Sequence, residues 1–187
     1  MIINFLVDTN SPATLKTNYK RVINQAVAIL RGLNLEITPR IAKQSLTSPI
    51  IYPPNLQPFQ VPGFVRDKFI KEFSPTGIWH LCLGPVILGR YEMFGGAAGS
   101  VCCKEVKVSC STVFMCNHLV PHGVAAQIDS AAKVMAHEIA HLFGAQHHDN
   151  TPNIMHSYMN VYSSHKGLKW HPKTLGEIQR CLKQNSN

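Results

Sequence analysis

Two histidines four residues apart, followed by a glycine and a third histidine, constrain the fold of this 187-residue chain more than any other feature. His137 and His141 fall on one face of a helix, because residues four apart are neighbours on a helix surface. Glu138 is rotated to lie beside that face. Gly144 can take the positive φ that ends a helix, which lets His147 return toward the two earlier histidines. The chain must therefore fold so that a helix and the loop after it present three imidazoles to one point.

Three neutral imidazole nitrogens are a ligand set typical of a catalytic zinc ion, with a further position open to water. We therefore expect one zinc ion on His137, His141 and His147. His148 directly follows His147 and is the alternative third ligand. Glu138 is not a ligand in this scheme, and it is placed to act as the general base that takes a proton from an attacking water. The pattern thus indicates metal-assisted hydrolysis.

The full pattern, H-E-x-x-H-x-x-G-x-x-H, resembles the signature of the metzincin clan of zinc endopeptidases. Met155, eight residues after His147, lies in a stretch that resembles the clan's Met-turn. Within the clan the chain is most similar to the adamalysin, or reprolysin, branch, which includes snake-venom and arthropod salivary metalloproteinases and the disintegrin-and-metalloproteinase families. The segments that carry this likeness are 2–8, 99–102, 109–111 and 181–182. The resemblance implies a zinc-dependent endopeptidase that cleaves peptide bonds in proteins.

The motif differs from that branch at two positions. His148 stands where branch members usually have Asp, and Asp149 follows one position later. Ala140 replaces a common glycine inside the helix, a change that favours helix formation. The chain also has no cysteine between positions 117 and 180, so the loop beside the specificity pocket is less cross-linked than in many members.

Apolar periodicity predicts an α/β fold. Residues 2–7 form a predicted buried strand, 13–33 an amphipathic helix and 33–37 a second strand, which together indicate a parallel βαβ unit. A further helix is predicted from 129 or 130 to 143, and a last helix over 174–182.

We expect one metalloprotease catalytic domain over residues 1–187. The resemblance implies a metzincin-like architecture in which residues 1–147 form an upper subdomain, with a mixed, mostly parallel sheet and flanking helices. Residues 148–187 then form a small irregular lower subdomain with the Met-turn and the C-terminal helix. The zinc cleft is expected between the two.

A run of small residues marks the expected substrate strand. Gly95, Gly96, Ala97 and Ala98 suit a sheet edge that a second backbone approaches closely. An extended polypeptide substrate would add to this edge through backbone hydrogen bonds. By the family resemblance, the pocket for the residue after the scissile bond lies between the zinc helix and residues 156–164.

The cysteines predict disulfides and hence a secreted, extracellular protein, because their number is even and no C-x-x-C pair suggests a zinc ribbon. They are Cys82, Cys102, Cys103, Cys110, Cys116 and Cys181. The adamalysin resemblance implies a bridge between Cys116 and Cys181, and the pairing of the other four stays open. The first residues do not form a signal peptide, so we expect the sequence to be that of a mature part. An intracellular peptidase with reduced thiols is the alternative.

The net charge of +8 favours acidic partners such as a polyanionic matrix or an anionic cell surface. The 18 Lys and Arg are dispersed and are not interleaved with aromatic residues, which argues against nucleic-acid binding. No apolar run approaches the roughly 20 residues that span a bilayer. We expect a monomer.

A different class of function uses the same scaffold: a non-catalytic binding protein or toxin. The presence of Glu138 together with all three histidines argues against it. A protein that had lost catalysis would be expected to lose the base or a ligand first.

Overall fold

A five-stranded sheet with helices packed on both faces forms the framework of the chain. The computed structural model describes residues 1–8, 13–42, 50–83, 86–88, 91–93, 95–102, 107–114, 124–157 and 168–185. The strands are β1 (Ile2–Val7), β2 (Thr38–Ala42), β3 (Gly77–Leu83), β4 (Val86–Leu88), β5 (Tyr91–Met93), β6 (Gly95–Ala98) and β7 (Val108–Phe114). The α-helices are α1 (Ala13–Arg31), α2 (Val61–Phe73), α3 (Val124–Leu142) and α4 (Pro172–Asn185), and a short 3₁₀ helix spans Pro58–Gln60.

The strand order β2-β1-β3-β7-β6 makes the sheet mixed and mostly parallel. β1 pairs in parallel with β2 and β3, and β3 pairs in parallel with β7. β6 runs antiparallel to β7 at the edge of the sheet, and β4 pairs with β5 in a separate antiparallel ribbon. The predicted α/β fold with a mixed, mostly parallel sheet is confirmed.

The first βαβ unit has the predicted order, but its second strand begins later than predicted. β2 covers residues 38–42 and not 33–37, and it pairs with β1 from Ile2 opposite Thr38. Asn34 has a φ of 57°, a left-handed conformation that interrupts any strand there. Leu33 and Leu35 are nevertheless buried. The alternating apolar residues therefore pack into the core ahead of the strand instead of pairing with β1.

Alternate side chains of β1 enter two different cores, one on each face of the sheet. Ile3 and Phe5 join the larger core, which also contains residues of α1 and α3. Leu6 joins the smaller core, which contains Val65 and Phe69 of α2. This alternation follows from the two-residue period of a strand, and it assigns α3 and α2 to opposite faces.

α3 is almost enclosed by its neighbours. Four alanines on it, at positions 131, 132, 136 and 140, are at most 1 % exposed, and their small side chains allow α1, β6 and β7 to approach closely. The helix begins at Val124, earlier than the predicted 129 or 130, and it ends at Leu142. No helix in the described ranges is both long enough and apolar enough to cross a bilayer.

A disulfide joins Cys102 to Cys181, so the predicted Cys116–Cys181 bridge is wrong. The chain after β6 is held against the end of α3, because the Val101 amide donates to the Leu142 carbonyl at 2.8 Å. This places the Cα of Cys102 5.0 Å from that of Cys181 on α4. A sulfur forms one disulfide only, so Cys116, which lies outside the described residues along with Cys103, cannot share Cys181.

The buried His80 predicts a pH dependence of stability. Its ring is fully buried, its Nδ1 atom lies 2.7 Å from the Ser111 hydroxyl, and its Nε2 atom has no hydrogen-bond partner among the described residues. Burial lowers the pKa of His80 to about 3, against 6.5 for an exposed histidine. Between these two pH values, His80 is therefore protonated in the unfolded chain and neutral in the folded chain. Stability should be complete above pH 6.5 and fall as the pH drops toward 3, by up to about 1.4 kcal/mol per pH unit.

The variant His80→Asn, which keeps a polar partner for Ser111 and does not titrate, should lose this slope. The measurement is the free energy of unfolding by denaturant at pH 7, 6 and 5 in both proteins. Other histidines contribute equally to both and cancel in the difference. Parallel curves would show that His80 is not the titrating group.

Candidate metal centre and active site

Three histidine side chains converge at the C-terminal end of α3. The Nε2 atom of His141 lies 3.0 Å from that of His137 and 3.0 Å from that of His147, and the remaining pair is 3.3 Å apart. Two of these residues come from one face of α3, and the third comes from the loop after Gly144, whose φ is 84°. The three nitrogens form a group that could hold a metal ion.

Backbone carbonyls fix the orientation of the first two rings. The Nδ1 atom of His137 lies 2.5 Å from the Ile154 carbonyl oxygen, and that of His141 lies 2.8 Å from the Ala145 carbonyl oxygen. A carbonyl oxygen only accepts, so each Nδ1 carries the proton and each neutral ring presents the lone pair of Nε2 to the centre. Metal-binding histidines commonly have this second hydrogen bond.

The electrostatics of the trio fit a cation. Burial lowers the pKa of His137 to about 3 and that of His141 to about 4, and it also lowers the pKa of His147. The rings are therefore neutral, and lone pairs at this spacing repel one another unless a cation lies between them. Ligands about 2.0–2.1 Å from a tetrahedral zinc ion stand about 3.3 Å apart, close to the spacing of these nitrogens.

His148, the alternative third ligand, faces away from the trio. Its Nε2 atom lies 3.1 Å from Oε1 of Glu177 on α4, and its ring stacks on that of His171 with centroids 4.1 Å apart. Among the described residues, the grouping with metal-ligand geometry contains His147 and not His148.

The segment that resembles a Met-turn is held by side chain to backbone hydrogen bonds. Asn153 donates from Nδ2 to the carbonyl oxygens of His148 and Thr151, both at 2.6 Å. Its Oδ1 atom accepts from the Met155 amide at 2.7 Å, and the His148 amide donates to the Met155 carbonyl at 2.9 Å. Met155 is fully buried in the larger core.

Asp149 closes the same turn from the other side. Its carboxylate accepts from the backbone amide and the hydroxyl of Ser157, both at 2.7 Å. These two hydrogen bonds lower the pKa of Asp149. Asp149, the residue after His148, therefore ties the two ends of the turn together.

Glu138 is buried against the backbone of β6. Only 8 % of the residue is exposed, and burial raises the pKa of its carboxyl group to about 8. A Cβ atom on Gly95 would lie 2.5 Å from Oε1 of Glu138, so the carboxyl group occupies the space that any side chain at position 95 would need. A cation at the trio would favour the ionised carboxylate and oppose the effect of burial.

A cleft of about 510 Å³ joins these groups. Its lining residues are Pro58, Phe59, Pro62, Gly95, Gly96, Ala97, Gly99, His137, Glu138, His141, His147 and Ser157. Three of the four predicted substrate-strand residues, Gly95, Gly96 and Ala97, thus line the cleft with the metal-ligand trio. Ala98 is the last residue of the same strand.

The wall that carries Phe59 was not predicted from the sequence. Pro58, Phe59 and Pro62 belong to the 3₁₀ helix and the start of α2, and Phe59 is 81 % exposed. A Cβ atom on Gly96 would lie 2.4 Å from Cγ of Pro62, which shows how closely α2 covers β6 on the face opposite Glu138. The sequence signal for this wall is a proline-rich run that contains an aromatic residue. Most of the predicted pocket segment, 158–164, lies outside the described residues.

Comparison with known proteins gives likeness in structure only. No family model matches the sequence, and no curated protein matches it. A metalloproteinase-II from Bacteroides fragilis has a TM-score of 0.64 and 13 % identity over 97 % of this chain, which spans about half, 52 %, of that chain.

Two shorter structures match over almost their whole length. The archaemetzincin from Methanopyrus kandleri has a TM-score of 0.60 and 14 % identity, covering 98 % of this chain and 96 % of its own. A zinc-dependent peptidase from Methanocorpusculum labreanum has a TM-score of 0.56 and 17 % identity, and the match covers 94 % of this chain and 99 % of that one. At such identities the likeness shows the fold, and the chain therefore has the fold of these three peptidases.

Proposed function

We propose that the chain is a zinc-dependent endopeptidase. The observation that carries the proposal is the convergence of three Nε2 lone pairs, within 3.3 Å of one another, in a cleft that also contains the Glu138 carboxyl group. The three similar structures are a metalloproteinase, a zinc-dependent peptidase and an archaemetzincin, which supports zinc as the metal and polypeptide as the substrate. His137, His141 and His147 would hold one zinc ion.

In the proposed mechanism Glu138 is the general base, which is supported by its place in the same cleft as the three histidines. When bound, zinc supplies Lewis acidity, which acidifies water and polarises a peptide carbonyl. The ionised Glu138 carboxylate accepts a proton from the attacking water and passes it to the nitrogen of the leaving amine. No covalent bond to the protein forms in this scheme. Cys82 and Cys110 are buried, and neither lines the cleft.

An extended polypeptide fits the shape of the cleft. β6 is the edge strand of the sheet, so a substrate strand can add to it through backbone hydrogen bonds. The faces of β6 are already occupied, by Glu138 at Gly95 and by Pro62 at Gly96. Small residues are therefore required by the base and by α2 as well as by the substrate. Exposed Phe59 at the rim offers an apolar contact for a substrate side chain.

The adamalysin subtype and the compartment are narrower parts of the proposal. The subtype is supported by the sequence motifs alone. Secretion is supported by the Cys102–Cys181 disulfide, because such bonds persist in oxidising compartments. A non-catalytic binding protein remains the competing function, and it is an outcome of the first experiment below.

Replacing Glu138 by Gln should strongly lower turnover and retain the metal. Glutamine keeps the shape of the side chain but cannot accept the proton, so the rate of peptide cleavage should fall about 10²- to 10⁴-fold. His141→Ala should lose zinc and activity together, because it removes a ligand. Zinc content by metal analysis and cleavage of a peptide library separate the two effects.

The control for this comparison is Glu36→Gln, the same change at an exposed position. It should leave both zinc content and rate unchanged. Two results would contradict the endopeptidase proposal and favour a non-catalytic binding protein. One is a zinc-loaded wild-type protein that cleaves no peptide, and the other is a Glu138→Gln variant that cleaves at the full rate.

Adding a methyl group at Gly95 should move the base without removing it. The new Cβ would lie 2.5 Å from Oε1 of Glu138, so the flexible carboxyl group must shift. A displacement of about 1 Å can reduce a rate about 10²-fold. We expect Gly95→Ala to lower kcat on that scale and to leave zinc affinity unchanged. Gly63→Ala, at a glycine with no atom within 4 Å of the new Cβ, is the matched control, and equal rates in the two variants would contradict the prediction.

A further inference from the structure

Glu177 of α4 bonds to the chain on both sides of the third histidine. Its Oε2 atom accepts from the Gln146 backbone amide at 3.0 Å. Its carboxylate also accepts from Nε2 of His148, which lies 3.1 Å from Oε1 and 3.2 Å from Oε2. The side chains of His148 and Glu177 are 12 % and 10 % exposed, so water competes little for these contacts. One carboxylate thus holds the residues immediately before and after His147.

The helix that carries Glu177 is itself anchored. Cys181 lies four residues further along α4, on the same face, and forms the disulfide with Cys102. A Cβ atom on Gly144 would lie 3.4 Å from Cβ of Cys181, so this face of α4 lies directly against the turn after α3. Ile178 is fully buried in the larger core. Glu177 therefore acts from a fixed position.

His147 needs this support more than the other two ligands do. His137 and His141 lie on α3 and have backbone carbonyls at their Nδ1 atoms. His147 lies in the loop beyond the helix, and its Nδ1 atom has no hydrogen-bond partner within the described part of the chain. Its place in the trio is consequently set by the backbone that Gln146 and His148 define.

We propose that Glu177 is a positioning residue for the metal centre, which holds His147 in place as the third ligand through Gln146 and His148. The inference rests on the proposed zinc site and extends it to a residue of α4. Loss of a group that orients a ligand typically lowers metal affinity about 10- to 100-fold. Glu177 acts through the backbone and one neighbouring side chain, so we expect Glu177→Ala to weaken zinc binding by about 10-fold, at the lower end of that range.

The test is the zinc dissociation constant, measured by competition with a chromogenic chelator on the full chain with its disulfide intact. Glu177→Ala should show the weakening, and Glu177→Gln, which retains one acceptor oxygen, should lie between it and the wild type. Gln179→Ala is the matched control, because this residue is exposed on the same helix. It should bind zinc like the wild type.

A purely structural role would give a different result. It would lower the free energy of unfolding of the zinc-free protein and leave the dissociation constant of the folded protein unchanged, which would overturn the proposal. Equal weakening in Gln179→Ala would overturn it as well. If Glu177→Ala does not fold, Glu177→Gln decides, and wild-type affinity in that variant refutes the proposal. Because the assay contains no substrate, a wild type that binds zinc but cleaves nothing would refute only the endopeptidase function.

Discussion

The burial of α3 between the sheet and α1 is the constraint on which the rest of the molecule depends. Its alanines bring the helix backbone close to β6 and β7, and that distance allows the Glu138 side chain to reach Gly95. The helix cannot rotate or slide without opening the larger core. His137, His141 and Glu138 are therefore positioned by hydrophobic packing, independently of any metal.

The loops after α3 supply the backbone groups that orient the histidine rings. The Ile154 carbonyl orients His137, and the turn that contains Ile154 is held by Asn153 and anchored by buried Met155. Asp149 then ties this turn to Ser157, at the rim of the cleft. The burial of Met155 thus fixes the backbone of the turn that carries the Ile154 carbonyl.

The sequence predicted those features that depend on residues close together in the chain. The histidine spacing follows the helical repeat, and β1 and α1 were visible from apolar periodicity. β7, in contrast, lies inside the sheet but carries Ser109, Ser111 and Thr112, which are polar and yet at most 4 % exposed, so it lacks the apolar signature of a buried strand. The Cys102–Cys181 pair and the contact of Pro62 with Gly96 depend on tertiary packing, and no local pattern specifies them.

The same geometry makes the centre favour a divalent cation before substrate arrives. Burial disfavours every charged form here: it keeps the three imidazoles neutral, and it raises the pKa of Glu138 to about 8. A cation between the lone pairs removes their mutual repulsion and also favours the ionised carboxylate. In the proposed mechanism, metal binding and ionisation of Glu138 are therefore coupled through charge. Because position 95 is a glycine, the carboxylate has room beside β6, and the binding energy of the metal can stabilise the irregular segment that contains His147.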